Sequence, residues 1–116
     1  MGVNYGINIV KSIEQLKTIT KNNKNMKVSN FTSNNGNKIA NQFLITEKNK
    51  QTFQSYKSII AVKDYKKGVR RIFLDSYYWD YSVTTGKYRN QFLGEGIAET
   101  RKKIDSGEYK LKNLNK

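Results

Sequence analysis

Between Arg71 and Gly94 the chain reads RIFLDSYYWDYSVTTGKYRNQFLG, and this stretch forces three kinds of structure into two dozen residues. Ile72, Phe73 and Leu74 read as the end of a strand, because branched and aromatic side chains suit a pleated, half-buried surface. Asp75 and Ser76 follow with short side chains that accept hydrogen bonds from nearby backbone, so the chain turns there. Tyr77, Tyr78, Trp79 and Tyr81 then crowd into five positions, each ring carrying a large apolar area with a polar tip. Thr84 or Thr85 is placed to cap a short helix from about residue 86 to 93, and Gly94 can take the left-handed conformation that closes it. Strand, aromatic turn and helix in immediate succession restrict the chain to folds that mix both kinds of element.

The segments before this stretch alternate in strand fashion. Val3, Tyr5, Ile7 and Ile9 fit a first strand or an ordered lead-in over residues 1–10, and Ser12 with Gln15 has capping-box spacing ahead of a short amphipathic helix over residues 13–22. Residues 26–32 alternate as a strand, and Asn35-Gly36 is a strong hairpin signal, since a type I′ turn needs positive φ at both central residues. The return strand, residues 38–46, places Ile39, Phe43 and Ile45 on one face and Ala40 and Leu44 on the other. Residues 47–50 form the next turn. Residues 52–56 and 58–63 are strands, the second carrying the β-branched run Ile59 to Val62, and residues 64–68 close a hairpin that returns through residues 69–74. Beyond Gly94, Ile97, Arg101 and Ile104 share one helical face over residues 97–106, Gly107 ends that helix, and Tyr109, Leu111 and Leu114 add a last short strand. The expected fold is α+β: one domain over residues 1–116, an antiparallel meander with short helices near the N-terminus and in the C-terminal third, grouped at the ends of the sheet.

Charge bounds the function. Twenty-two basic residues against nine acidic ones leave a net charge of +13, with an excess in both halves of the chain. Such a surface favours association with polyanions: nucleic acid, acidic protein faces or anionic membrane. The sequence holds neither histidine nor cysteine, which removes the commonest general base, the commonest metal ligand and the thiol nucleophile. The expectation is a protein that is not an enzyme and uses no metal or cofactor. With no apolar run long enough for a signal peptide or a membrane span, a soluble cytoplasmic protein is expected.

Two candidate binding sets emerge. Lys63, Lys66, Lys67, Arg70 and Arg71 surround Gly68 at a hairpin tip, where they form a finger suited to phosphate contacts. Tyr77, Tyr78 and Tyr81, with Lys87 and Arg89, form an aromatic and basic surface suited to stacking or to anchoring a partner. Trp79 is assigned to the core, with at least one tyrosine exposed. Asp75, Asp80 and Glu95 would be the only carboxylates available for a magnesium site, and turn formation accounts better for the two aspartates.

The segment WDYS followed by TTGKYRNQFLG, then by SGEYKLKNL, resembles a family of small proteins encoded by phages and related mobile elements, over residues 53–114. That resemblance implies phage biology without assigning any site residue. It implies an inhibitor of a host defence complex, anti-CRISPR-like, that binds a host protein or nucleoprotein machine. The other reading is a module that binds DNA or RNA directly, for replication or expression control.

Overall fold

A computed structural model describes residues 26–116 of the protein. The strand expected over residues 1–10 and the helix expected over residues 13–22 lie outside the described residues. The described chain forms six strands and two helices. They are β1 (Lys27–Thr32), β2 (Lys38–Glu47), β3 (Lys50–Ser55), β4 (Ser58–Asp64) and β5 (Arg71–Asp75), then α1 (Val83–Leu93), α2 (Ile97–Asp105) and β6 (Tyr109–Lys112). The strands lie in one sheet in chain order.

The sheet is mixed, which corrects the antiparallel expectation. Strands β1 to β5 are an antiparallel meander, but β6 runs parallel to β5, with Ile72 opposite Tyr109 and Leu74 opposite Leu111. The reason is the crossover: α1 and α2 occupy the return path, so the chain re-enters the sheet at the end where β5 begins. The helices therefore lie over one face instead of grouping at the ends. Tyr88, Phe92 and Leu93 of α1 pack on Phe31, Phe53, Ile60, Ala61, Ile72 and Leu74, with Tyr109 in the same cluster. Phe31 contacts both Phe53 (5.1 Å between ring centroids) and Tyr88 (5.8 Å), so the core is stitched by tilted and edge-on rings. On the opposite face Phe43 and Ile45 pack with Met26 and Val28, while Ile59, Val62 and Leu114 pack with Phe73.

Two irregularities decide which side chains reach which face. Phe53 pairs with Ala61 but Gln54 pairs with Ile59, so Ile60 is an extra residue in β4. This bulge puts Ile60 and Ala61 together under the helices and leaves Ile59 and Val62 on the other side. In β2, Asn41 takes a positive φ of 64° and its carbonyl accepts the Tyr56 N–H at 2.7 Å. That kink resets the alternation, and Ile39 packs with the helix-side cluster rather than with Phe43 and Ile45 as simple alternation requires.

The turns follow local chemistry with two departures. The Asn35-Gly36 hairpin forms, but Gly36 has positive φ (81°) and Asn35 does not, so the turn is not type I′. A wider loop replaces it, closed by Ser33, whose N–H donates to the Asn37 carbonyl and whose own carbonyl accepts the Gly36 N–H. Helix α1 starts three residues earlier than expected because Ser82 is its cap, with its hydroxyl accepting the Thr85 N–H at 3.1 Å. Gly94 ends that helix at φ 71° as the sequence suggests.

Asp75 joins the last strands to everything after them. Its carboxylate is 1 % exposed and accepts three backbone N–H groups: Tyr77 at 3.0 Å, Tyr78 at 2.7 Å and Leu114 at 2.8 Å. Nearby, the Asn115 amide both accepts from the Ile59 N–H and donates to the Ile59 carbonyl, beyond the point where β4 pairs with β5. The C-terminal residues are thus held by hydrogen bonds, not frayed. Replacing Asp75 with Ala strands three donors around a buried site, so Asp75→Ala should lower the unfolding free energy by about 2–4 kcal/mol. Urea unfolding measures this; a loss under about 0.5 kcal/mol, the range of ordinary surface changes, contradicts the assigned role.

Candidate functional site

The β4–β5 hairpin is built from its acidic flank outward. The Asp64 carboxylate accepts the Lys66 N–H at 2.9 Å, and the Tyr65 N–H donates to the Asn49 carbonyl, tying this tip to the neighbouring β2–β3 turn. A single 3-10 turn follows, with Lys67 at φ 59° and Gly68 at φ 73°, so two consecutive left-handed residues reverse the chain. Residues 65–71 are all exposed. Among the described residues, Lys66, Lys67, Arg70 and Arg71 are in no ion pair. Four exposed cations with no acid partner of their own leave their charge available to an anionic ligand, screened only by salt.

Sheet register enlarges this basic set. In a meander alternate turns fall at the same end, and pairing places Lys27 opposite Thr46, Lys50 opposite Asp64 and Asp64 opposite Arg71. Exposed Lys27 at the start of β1 and exposed Lys48 in the β2–β3 turn therefore share the end of the sheet that carries the hairpin. Sequence reasoning missed both, although the parity of the expected turns was enough to find Lys48. Lys38 and Lys57 stand at the other end. Lys50 is not part of the surface: it is buried, with Glu47 3.4 Å away.

Lys63 also leaves the exposed finger. It is half-buried on the helix side of β4 with its ammonium 4.5 Å from the centre of the Phe92 ring. Burial lowers its pKa from the ordinary lysine value, and the charge of Arg70 lowers it further. Arg70 is thus near the helix side, whereas Arg71 precedes Ile72 in β5 and points to the opposite face, so the tip presents cations on both sides.

The aromatic set lies at the far end of β5. Tyr77, Tyr78 and Tyr81 form a mutual cluster with centroid separations of 4.7, 5.8 and 5.2 Å. Tyr77 and Tyr81 are 69 % and 61 % exposed, while Tyr78 and Trp79 are half-buried against the core. Lys87 is exposed, its ammonium 5.6 Å from the Tyr88 ring. Arg89 is not on this surface: it is 1 % exposed, donates to the Trp79 carbonyl, Asp80 and Asn90, and stacks 5.3 Å from the Trp79 ring. It braces the aromatic turn from beneath. Because β5 spans five residues at about 3.3 Å each, the hairpin and the tyrosines stand at opposite ends of the sheet and do not form one continuous surface.

The three carboxylates near the aromatic stretch are each committed separately. Asp75 caps backbone, and Asp80 pairs with Arg89 at 2.9 Å and Arg101 at 3.5 Å. Glu95 accepts from the Thr100 hydroxyl at 2.7 Å, Lys103 at 2.7 Å and the Tyr109 hydroxyl at 3.0 Å. Among the described residues no three acidic, histidine or cysteine side chains converge to hold a metal ion. Also among them, no helix is long and apolar enough to cross a membrane.

Residues 15–108 match a family of unknown function (DUF8033). No curated protein and no solved structure matches the chain. The family match carries no indication of a phage or mobile-element origin.

The Glu95 cluster ties α2 to β6 and has a signed dependence on pH. Burial alone raises the carboxyl pKa, but hydrogen bonds from Lys103, Thr100 and Tyr109, with the Lys103 charge, hold it below the ordinary glutamate value of 4.5. A depressed folded-state pKa contributes stability that is present above the ordinary value and lost as pH falls through the folded one. Acid titration of the urea midpoint should show this loss, and Glu95→Gln should flatten it; equal slopes in both proteins contradict the assignment.

Proposed function

The chain belongs to that family of unknown function, matched over most of its length, and we propose that it is a non-catalytic nucleic-acid-binding protein of the cell interior that grips the phosphate backbone with the basic end of its sheet. One observation carries the reading. Lys66, Lys67, Arg70 and Arg71 are exposed and unpaired on a turn fixed by Asp64, with Lys27 and Lys48 at the same end. Cations on a surface kept only for solubility are normally interspersed with acids, and here the acids of the same end, Glu47 and Asp64, are turned to Lys50 and to backbone. Each phosphate neutralised releases counterions, so the affinity falls steeply with salt.

A second reading has its own observation. Exposed Tyr77 and Tyr81, steadied by Tyr78, are aromatic groups of the kind that anchor protein partners, and they support binding to a component of a host complex, including the anti-defence inhibitor implied by the phage resemblance. In that case Tyr77→Ala with Tyr81→Ala abolishes partner binding and leaves polyanion affinity intact.

Fluorescence anisotropy with labelled oligonucleotides at several salt concentrations tests the first reading. Changing Lys66 and Lys67 together to Ala should weaken binding and reduce the salt slope by about 1 to 2, since each phosphate contributes about 0.7 to 0.9. Reversal of both to Glu should weaken it further. A folded double-alanine protein that binds with wild-type affinity at every salt concentration overturns the proposal.

A further inference from the structure

A cleft of about 260 Å³ lies between the sheet and the last turn of α1, and Lys63 lines it. Phe31, Leu44 and Phe92 form apolar wall, and Thr32, Gln51 and Gln91 supply polar groups. At about 30 Å³ per water molecule the space holds roughly eight or nine waters, too little for a drug-sized ligand and enough for one flat ring system.

Lys63 is the informative residue. Half-buried lysines are ordinarily paired with a carboxylate or extend to water, yet this one has no ion pair among the described residues and rests on the Phe92 ring. Arg70 from the basic hairpin repels it. Its ammonium stands at the cleft wall beside the Phe92 ring and close to Arg70, where an acceptor entering from outside the chain would meet both charges. Thr32 and Gln91 are exposed and Gln51 is half-buried along the cleft, and an amide offers both donors and acceptors to whatever enters it. The lining therefore asks for a planar group with apolar faces, a rim of mixed donors and acceptors, and an electron-rich atom beside an ammonium. Nucleobases have this chemistry, and lysine is a recognised partner of guanine O6 and N7.

We propose that this cleft accepts one unpaired base of a nucleic acid whose backbone lies on the basic hairpin, so that the preferred ligand is single-stranded. The inference rests on the backbone-binding reading and adds the strandedness of the ligand. A paired base must first be unpaired and unstacked before it can enter a pocket in a protein, whereas unpaired bases can be splayed out and held one at a time without that cost.

The experiment compares a short mixed-sequence single strand with its duplex, by anisotropy, for the full chain and two variants. Wild type should prefer the single strand by about tenfold, the scale of one held base. Lys63→Met, which keeps the apolar stem, and Gln91→Ala, on the exposed side of α1, should each reduce that preference several-fold. Lys66→Ala with Lys67→Ala should weaken both ligands alike. Equal affinity of the wild type for both ligands overturns the base site and leaves the backbone reading standing. Release of the single strand by inorganic phosphate at low concentration, with free nucleoside monophosphate no better, makes the cleft a small-anion site and also overturns it. Absence of any oligonucleotide binding overturns both readings together. Should Lys63→Met fail to fold, an unchanged preference in Gln91→Ala is sufficient to reject the proposal.

Discussion

The Asp75 carboxylate is the joint on which the second half of the structure depends. A buried carboxylate is costly unless its lone pairs are occupied, and here three backbone N–H groups from two distant segments occupy them. Two of those bonds turn the chain out of β5 and start the aromatic cluster. The third reaches Leu114 and seats it against Ile59, Val62 and Phe73, so the end of the chain closes the face opposite the helices. Since β6 lies just before Leu114, the same carboxylate also holds the one parallel strand at the edge of the sheet. The Ser76 N–H reinforces this by donating to the Lys112 carbonyl at 2.8 Å.

That joint fixes the separation of the two surfaces. A meander sends successive turns to alternate ends, so the β2–β3 and β4–β5 turns gather lysines and arginines at one end while β5 delivers the tyrosines to the other. A ligand that needs phosphate contacts and stacking on the tyrosines at once would have to span the sheet, whereas the cleft proposed for a base lies on the same side as Lys63 and Arg70. The tyrosines are then free for a different partner or for none. Charge and aromatic area, adjacent in composition, are not adjacent in space.

Much of this was legible locally. The hairpins, the cap at Gly94 and the left-handed Gly107 just past the second helix all follow from neighbours within a few residues. What escaped was set by partners far along the chain. The parallel pairing of Tyr109 with Ile72 depends on where two helices return the chain, which no spacing within residues 109–112 reveals. The wrong face for Ile39 came from a kink at Asn41 that an asparagine permits but does not demand. Asn35-Gly36 marked the hairpin correctly and its turn type incorrectly, because Ser33 closes a wider loop. Arg89, read from the sequence as part of the aromatic and basic surface, is instead buried on Asp80, the Trp79 carbonyl and ring, and Asn90.

Arg89 and Lys63 together show how partners, more than exposure, sort the basic residues of this chain. Arg89 is the more deeply buried, yet its charge is answered by a carboxylate, a backbone carbonyl, an amide oxygen and an indole face, so it is architecture. Lys103 is answered in the same way by Glu95. Lys63 is half-open and is answered by one ring. Removing Arg89 would leave Asp80 with only its longer pairing to Arg101, while removing the Lys63 charge would leave no acid behind. Within the described fold the Lys63 charge meets the Phe92 ring and no acid, and beside Arg70 at the wall of the cleft it stays available to an acceptor from outside the chain.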